Sequence, residues 1–305
     1  MKRKDLLSLR DLKTQEIREL LSSAYDIKSN PAKYAEALKG KALALIFEKP
    51  SLRTRVTFDV AIHQLGGYSV NLTQAEINLG KRESVSDVAK NLERMVQGIM
   101  VRTFSHNIAV EMAQQARIPV INGLTDFSHP CQALADYMTI LEVKKDFHNL
   151  KLAYVGDGNN VAHSLIFGAV RLGVHIVVST PGGFEPEAEV LEWAMFNTAE
   201  TGSRVQVTHD PESAVDKADV VYTDVWASMG QEADYERRHE IFLPYRVDEA
   251  LFSHAKPEAI FMHCLPAHRG DEVTSEVMDS PRSVVFQQAE NRLHIQKAIL
   301  LALMG

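Results

Sequence analysis

Short apolar runs rich in Val, Ile, Leu and Ala recur along the chain, each followed by a longer stretch with apolar positions every three or four residues. The runs fit strands buried on both faces, and the longer stretches fit helices that turn one face to a core. In the first half they predict strands near 42–48, 69–72, 98–103 and 119–123, with helices at about 13–28, 52–65, 84–95 and 106–116. A longer helix is predicted from near His129 to about Lys145. The second half repeats the alternation, with strands near 151–156, 175–180, 204–208, 219–223, 259–264 and 283–286. Its helices fall near 160–172, 185–200, 211–217 and 272–278, and an amphipathic helix from about Ala289 to Met304 closes the chain.

Strands alternating with helices predict mostly parallel sheets flanked by helices, an α/β fold. The polar segment Lys144–Leu150 ends one helix just before a new strand, which sets a domain boundary at 148/149. The expected organisation is two tandem α/β domains, 1–148 and 149–288, with the helix 289–305 packing back on the first. In such folds ligands sit at the carboxyl ends of strands, so a cleft between the two domains is the expected site.

With 45% hydrophobic and 24% charged residues over 305 positions, the chain can bury a sizeable core. Its net charge of −7 argues against a general nucleic-acid binder, because no basic face is available for a phosphate backbone. Cys131 and Cys264 are the only cysteines, which gives no disulfide framework and no paired-cysteine metal motif. Charged residues at Asp5, Arg10 and Asp11 interrupt any signal-peptide core, and no run is long enough to span a bilayer. A cytoplasmic protein is expected.

Polar clusters fall at the ends of the predicted strands. After 42–48 comes Ser51-Leu52-Arg53-Thr54-Arg55 at a helix start, where unpaired N–H groups and the helix dipole favour an anion. Arg102 ends the strand 98–103. Ser128-His129-Pro130-Cys131-Gln132 opens the long helix, with Ser128 as expected cap and Pro130 in the first turn. Gly156-Asp157-Gly158-Asn159-Asn160 follows the strand 151–156 but lacks the third glycine of a dinucleotide fingerprint. The strand at 175–180 also ends without the acid that would hold a ribose, so no nicotinamide cofactor is expected. The Asn159 and Asn160 amides suit a small carboxylate instead.

Asp224 ends the strand 219–223 and precedes the small-residue loop with Ser228, Met229 and Gly230, a pattern that suits a cationic ligand under a lid. His263-Cys264-Leu265-Pro266 ends the strand 259–264, with His268 beyond. Neighbouring residues of a strand face opposite ways, so His263 and Cys264 should diverge and no metal site is expected. Glu290-Asn291-Arg292 opens the closing helix and can return a guanidinium to the strand ends.

Taken together, these motifs and their spacing resemble the ornithine carbamoyltransferases of the aspartate/ornithine carbamoyltransferase superfamily over nearly the whole chain. The resemblance implies transfer of a carbamoyl group from carbamoyl phosphate to the δ-amine of L-ornithine, giving L-citrulline and phosphate, without cofactor. It implies a carbamoyl-phosphate set of Ser51, Leu52, Arg53, Thr54, Asn78, Arg102, His129, Pro130, Cys131, Gln132, Cys264, Leu265 and Arg292. The implied ornithine set is Asn160, Asp224, Ser228 and Met229, and Arg102, His129, Asp224 and Cys264 are the implied catalytic residues. Leu52 stands where many members have Thr, at a position that offers mainly its N–H. Asn78 stands where relatives often carry Gln or His and reach into a neighbouring subunit, within a homotrimer or a multiple of trimers. Sister enzymes that use aspartate, putrescine or acetylornithine are the alternatives, and Arg237-Arg238 would have to bind the extra carboxylate of aspartate.

Overall fold

The computed structural model describes residues 4–227 and 234–305. They divide into two compact units, one running up to Ala135 and rejoined by Glu290–Gly305, the other formed by Asp136–Ala289. Each unit is built on a parallel sheet.

The first sheet contains β1 (Ala42–Phe47), β2 (Tyr68–Thr73), β3 (Gly98–Arg102) and β4 (Val120–Leu124), ordered β2-β1-β3-β4. β1 and β3 are buried along their whole length, which explains why each reads as an uninterrupted apolar run. Ala44, Ile46, Ile99 and Val101 pack with Met112 of the helix His106–Gln115 in one core cluster. The chain reverses direction across the sheet between β1 and β3, and their register pairs Phe47 with Arg102 at the carboxyl edge. That switch point is where an α/β sheet offers room to a ligand. The end of the closing helix, Val285–Met304, belongs to this unit. The Met304 sulfur lies 2.8 Å from where a Cβ on Gly98 would stand, so a side chain there would push the flexible end of Met304 aside.

The second sheet contains β5 (Lys151–Val155), β6 (His175–Ser179), β7 (Val205–Thr208), β8 (Val220–Thr223) and β9 (Ile260–His263), ordered β7-β6-β5-β8-β9. Its switch point lies between β5 and β8. A core of Val155, Val221, Phe252, Phe261 and Val277 covers one face.

All nine of these strands lie where the apolar runs predict them. The tenth, at 283–286, does not form. Ser283 makes one isolated bridge to Phe261, and the chain then turns into the closing helix at Val285. The division between the two compact units falls inside the helix Pro130–Lys144. The cause is the packing of the second part of that helix. Tyr137 donates its hydroxyl to Leu165 O at 2.5 Å and its ring fills the space a Cβ on Gly168 would need, while Asp136 accepts from Tyr222 and Gln288. Among the described residues no helix is long and apolar enough to cross a membrane.

Candidate active site

In the first unit the site grows from the loop between β1 and the helix Leu52–Gln64. Glu48 N–H donates to Arg102 O at 2.9 Å, which fastens the loop to the end of β3. Ser51 caps the helix, its hydroxyl oxygen accepting from Thr54 N–H at 3.2 Å. This leaves N–H groups of the first turn facing outwards with the positive end of the helix dipole. The Leu52 side chain is 74% exposed, so a position known from sequence to lack a hydroxyl offers only backbone here.

Thr54 is the hub of a buried polar set. Its hydroxyl oxygen accepts from Arg102 Nη1 at 3.4 Å and from Arg292 Nη2 at 3.2 Å. Arg292 Nη1 also donates to Gln132 Oε1 at 2.6 Å, and all four side chains are buried. The planar guanidinium of Arg292 thus fixes residues from three distant segments in one frame. His129 lies beside them, buried, with Arg292, Arg102 and Arg53 as positive neighbours. Burial first, and then those three guanidiniums, hold its imidazole pKa well below the usual 6.5. It is a neutral hydrogen-bonding ring near neutrality. The helix begins at Pro130, so His129 rather than the expected Ser128 occupies the capping position, and His129 O accepts from Gln132 N–H at 3.1 Å.

Cys131 faces away from this set. Its thiol donates to Asn122 O at 3.5 Å inside the packing, and burial pushes its pKa up to about 12. Any role of Cys131 or Pro130 in binding therefore falls to the backbone. Asn78 caps the short helix Gln74–Ile77 in the left-handed region at φ 48°. Asparagine tolerates that conformation better than the longer polar side chains, which gives a backbone reason for Asn at this position. Lys49, which the motifs do not single out, is buried, pairs with Asp126 at 2.5 Å and lies 4.2 Å from the Phe104 ring centre. It joins the loops after β1, β3 and β4, and only its burial reveals it.

In the second unit Asp224, at the end of β8, is the hub. Its carboxylate accepts from Cys264 Sγ at 2.8 Å, from Asn159 Nδ2 at 2.9 Å and from its neighbour Val225 N–H at 2.8 Å. Asn159 is the cap of the helix Asn160–Leu172, accepting from Val161 and Ala162 N–H through its Oδ1. Its amide thus orients Asp224 instead of awaiting a carboxylate. Gly158 is required by close contact, since a Cβ there would meet Pro186 N at 2.3 Å. Tyr154 and Tyr222 stack at 5.9 Å beneath the cluster, and burial and then nearby acidic groups push their hydroxyls well above the usual 10. Ser228 and Met229 lie outside the described residues.

The alternation argument fails at the end of β9. The strand stops at His263, and Leu265 takes φ 61°. His263 Nδ1 accepts from Leu265 N–H at 2.8 Å, which places the ring proton on Nε2, facing Glu272 at 3.2 Å. Donor atoms of Asp224, His263 and Cys264 come within 4.8 Å of one another, so neighbouring residues do converge here. Both nitrogens of His263 are nonetheless committed to the turn. Arg238 is likewise committed, donating to Asp157 Oδ2 at 2.9 Å and to Trp226 O at 2.7 Å, while Arg237 is exposed beside Asp234.

One unit thus gathers guanidiniums, a neutral imidazole and a helix start for a small anion, and the other a carboxylate and a thiol for a cation. Comparison with known proteins also matches the chain in two parts, with the closing helix falling within the second match. Residues 4–142 match the carbamoyl-P binding domain, and residues 148–303 the Asp/Orn binding domain, of aspartate/ornithine carbamoyltransferase. The ornithine carbamoyltransferase of Thermococcus kodakarensis is 54% identical over 99% of this chain and 96% of its own. The chain belongs to the ornithine carbamoyltransferase family. An anabolic ornithine carbamoyltransferase of Pyrococcus furiosus is 53% identical over 99% of this chain and 96% of its own. The solved P. furiosus structure superposes with a TM-score of 0.96, covering 99% and 97% of the two chains at 53% identity. The anabolic enzyme of Campylobacter jejuni superposes at 0.94 with 37% identity, over 99% of each chain. The fold is thus shared well beyond the most similar sequences.

Proposed function

We propose that the chain transfers the carbamoyl group of carbamoyl phosphate to the δ-amine of L-ornithine, giving L-citrulline and phosphate. The observation that carries this reading is the Thr54 hub, where Arg102 and Arg292 converge on one hydroxyl beside a capped helix start. The phosphate is held by the N–H groups of residues 52–54, by Ser51 and by Arg53. Arg102, neutral His129 and Thr54 donate to the carbonyl oxygen as it gains negative charge. Gln132, whose Oε1 is oriented by Arg292, holds the carbamoyl NH₂.

In the second unit Asp224 supplies the counter-charge for the substrate's ammonium, and Asn160 takes the amino-acid end together with Ser228 and Met229. The reacting amine must be neutral. Asp224 and Cys264 receive it as an ammonium and assist loss of its proton. The neutral amine nitrogen then bonds to the carbonyl carbon, the C–O bond to phosphate breaks with its electron pair leaving on phosphate, and the departing phosphate takes the proton that the new amide nitrogen gives up. No protein nucleophile is needed, and much of the rate comes from holding two substrates in line.

Engagement of Arg238 with Asp157 and Trp226 disfavours aspartate as acceptor, because that guanidinium is not open to a second carboxylate. A homotrimer is part of the proposal. The edge strand β2 exposes Tyr68 and Val70, and Val56 on the helix Leu52–Gln64 is exposed too, an apolar face that suits another copy of the chain. So is a cytoplasmic setting, which suits two cysteines that both stay free thiols. Product formation from carbamoyl phosphate with ornithine, putrescine, acetylornithine and aspartate tests the activity. Ornithine alone should give efficient turnover, and preference for another acceptor would refute the assignment.

A further inference from the structure

One group of donor atoms in the second unit plays no part in the chemistry above. His268, Asp271 and Glu272 present ligand-type atoms within 4.8 Å of one another. A fourth donor stands beside them, His239 Nε2, 3.5 Å from Asp271 Oδ1. Glu272 is wholly buried. Its Oε1 accepts from His263 Nε2 at 3.2 Å and from His268 N–H at 2.6 Å. Its Oε2 is buried too and has no hydrogen-bond partner among the described residues, yet lies 3.9 Å from His268 Nδ1. A buried carboxylate oxygen without a partner is costly. Here one oxygen is anchored by two donors, while the other stands bare beside the His268 imidazole in the cluster with Asp271, whose own carboxylate faces His239.

We propose that His239, His268, Asp271 and Glu272 form a binding site for a divalent transition-metal ion of the zinc class. Two imidazoles with two carboxylates suit Zn²⁺ or Co²⁺, whereas Mg²⁺ and Ca²⁺ prefer oxygen alone. Bonds of about 2.0–2.2 Å would draw the donors inward by roughly an ångström. The His268 side chain is 52% exposed and can turn, while its loop is already set by Asp271 N–H on His268 O at 3.0 Å and Gly270 N–H on Val273 O at 2.9 Å. His263 on Glu272 Oε1 and the Tyr235 hydroxyl on Asp271 Oδ2 are the outer contacts that orient such ligands. A bound ion would tie the helix Tyr235–Phe242 to the loop that follows Cys264.

Calorimetric titration of the full-length protein with Zn²⁺, and absorption spectra with Co²⁺, test the site. The comparison uses His268→Ala, His239→Ala and Cys264→Ser beside the parent. The expected result is one equivalent of Zn²⁺ and a Co²⁺ spectrum without a thiolate charge-transfer band. Each histidine variant should bind at least about tenfold more weakly, while Cys264→Ser should bind as the parent does. Absence of Zn²⁺ binding, equal binding in both histidine variants and parent, or loss only in Cys264→Ser would each overturn the proposal. The last would place the ion at the Asp224 cluster.

Discussion

Cys264 Sγ donates to Asp224 Oδ1 across 2.8 Å, so the ends of β9 and β8 present one polar unit and not two separate side chains. A carboxylate in that unit supplies charge, and the thiol supplies acidity and softness. Asp224→Asn should therefore lower kcat/KM for ornithine by about 10- to 100-fold, the range for losing a charged hydrogen-bond partner. Cys264→Ser should cost less and leave the KM for carbamoyl phosphate unchanged. Steady-state kinetics with each substrate varied in turn measures both. A carbamoyl-phosphate defect as large as the ornithine defect in Cys264→Ser would contradict this assignment.

Burial and its arginine neighbours keep His129 neutral in the folded protein, with a pKa well below the usual 6.5. Below pH ~6.5 the unfolded chain takes up a proton at this residue that the folded chain refuses. Stability should thus fall as pH drops from 6.5 towards the lowered folded value, by up to about 1.4 kcal/mol per pH unit from this group. Denaturation of the parent and of His129→Gln across that window should differ in slope by about one proton. Parallel slopes would mean that His129 protonates in the folded state.

The parallel strands were legible because each is buried on both faces and carries an unbroken apolar run. The same signal misled at 283–286, where Val284 and Val285 are apolar because they begin a buried helix. The helix Tyr235–Phe242 left no trace, since Glu236, Arg237, Arg238, His239 and Glu240 show no apolar period. In the site, the motifs named the residues but not their partners. Nothing in sequence places Arg292 on Thr54, more than two hundred positions away, or assigns the Asn159 amide to Asp224. Face alternation failed at His263 and Cys264 because the strand ends between them and Leu265 turns the chain.

Arg102 and Arg292 share Thr54 but differ in role. Arg102→Ala should reduce kcat by about 10²- to 10³-fold, as for loss of one preorganised donor to a developing oxyanion. Arg292→Lys keeps the charge but cannot hold Gln132 and Thr54 together, and should reduce kcat by about tenfold or more. Single-turnover measurements at saturating substrates check both. Near-parent rates in Arg102→Ala would remove the oxyanion assignment.

Asn78 combines a left-handed backbone with a proposed reach into a neighbour's site. Asn78→Gly should preserve the turn and the melting temperature yet weaken carbamoyl phosphate use. Asn78→Gln should strain the turn by about 1 kcal/mol or more. If the side chain serves a neighbouring subunit of the proposed trimer, mixed assemblies of Asn78→Gly and Arg102→Ala should regain activity. Parent-like kinetics in Asn78→Gly would leave Asn78 a purely conformational role.

The proposed transfer joins the carbamoyl carbon to the δ-nitrogen of ornithine. The direct measurement is an NMR-followed reaction of ¹³C-labelled carbamoyl phosphate with ornithine labelled with ¹⁵N at the δ position only. The account predicts that the product carbonyl resonance splits through a one-bond ¹³C–¹⁵N coupling as phosphate is released in equal amount. An unsplit carbonyl, or phosphate release without a coupled product, would contradict it.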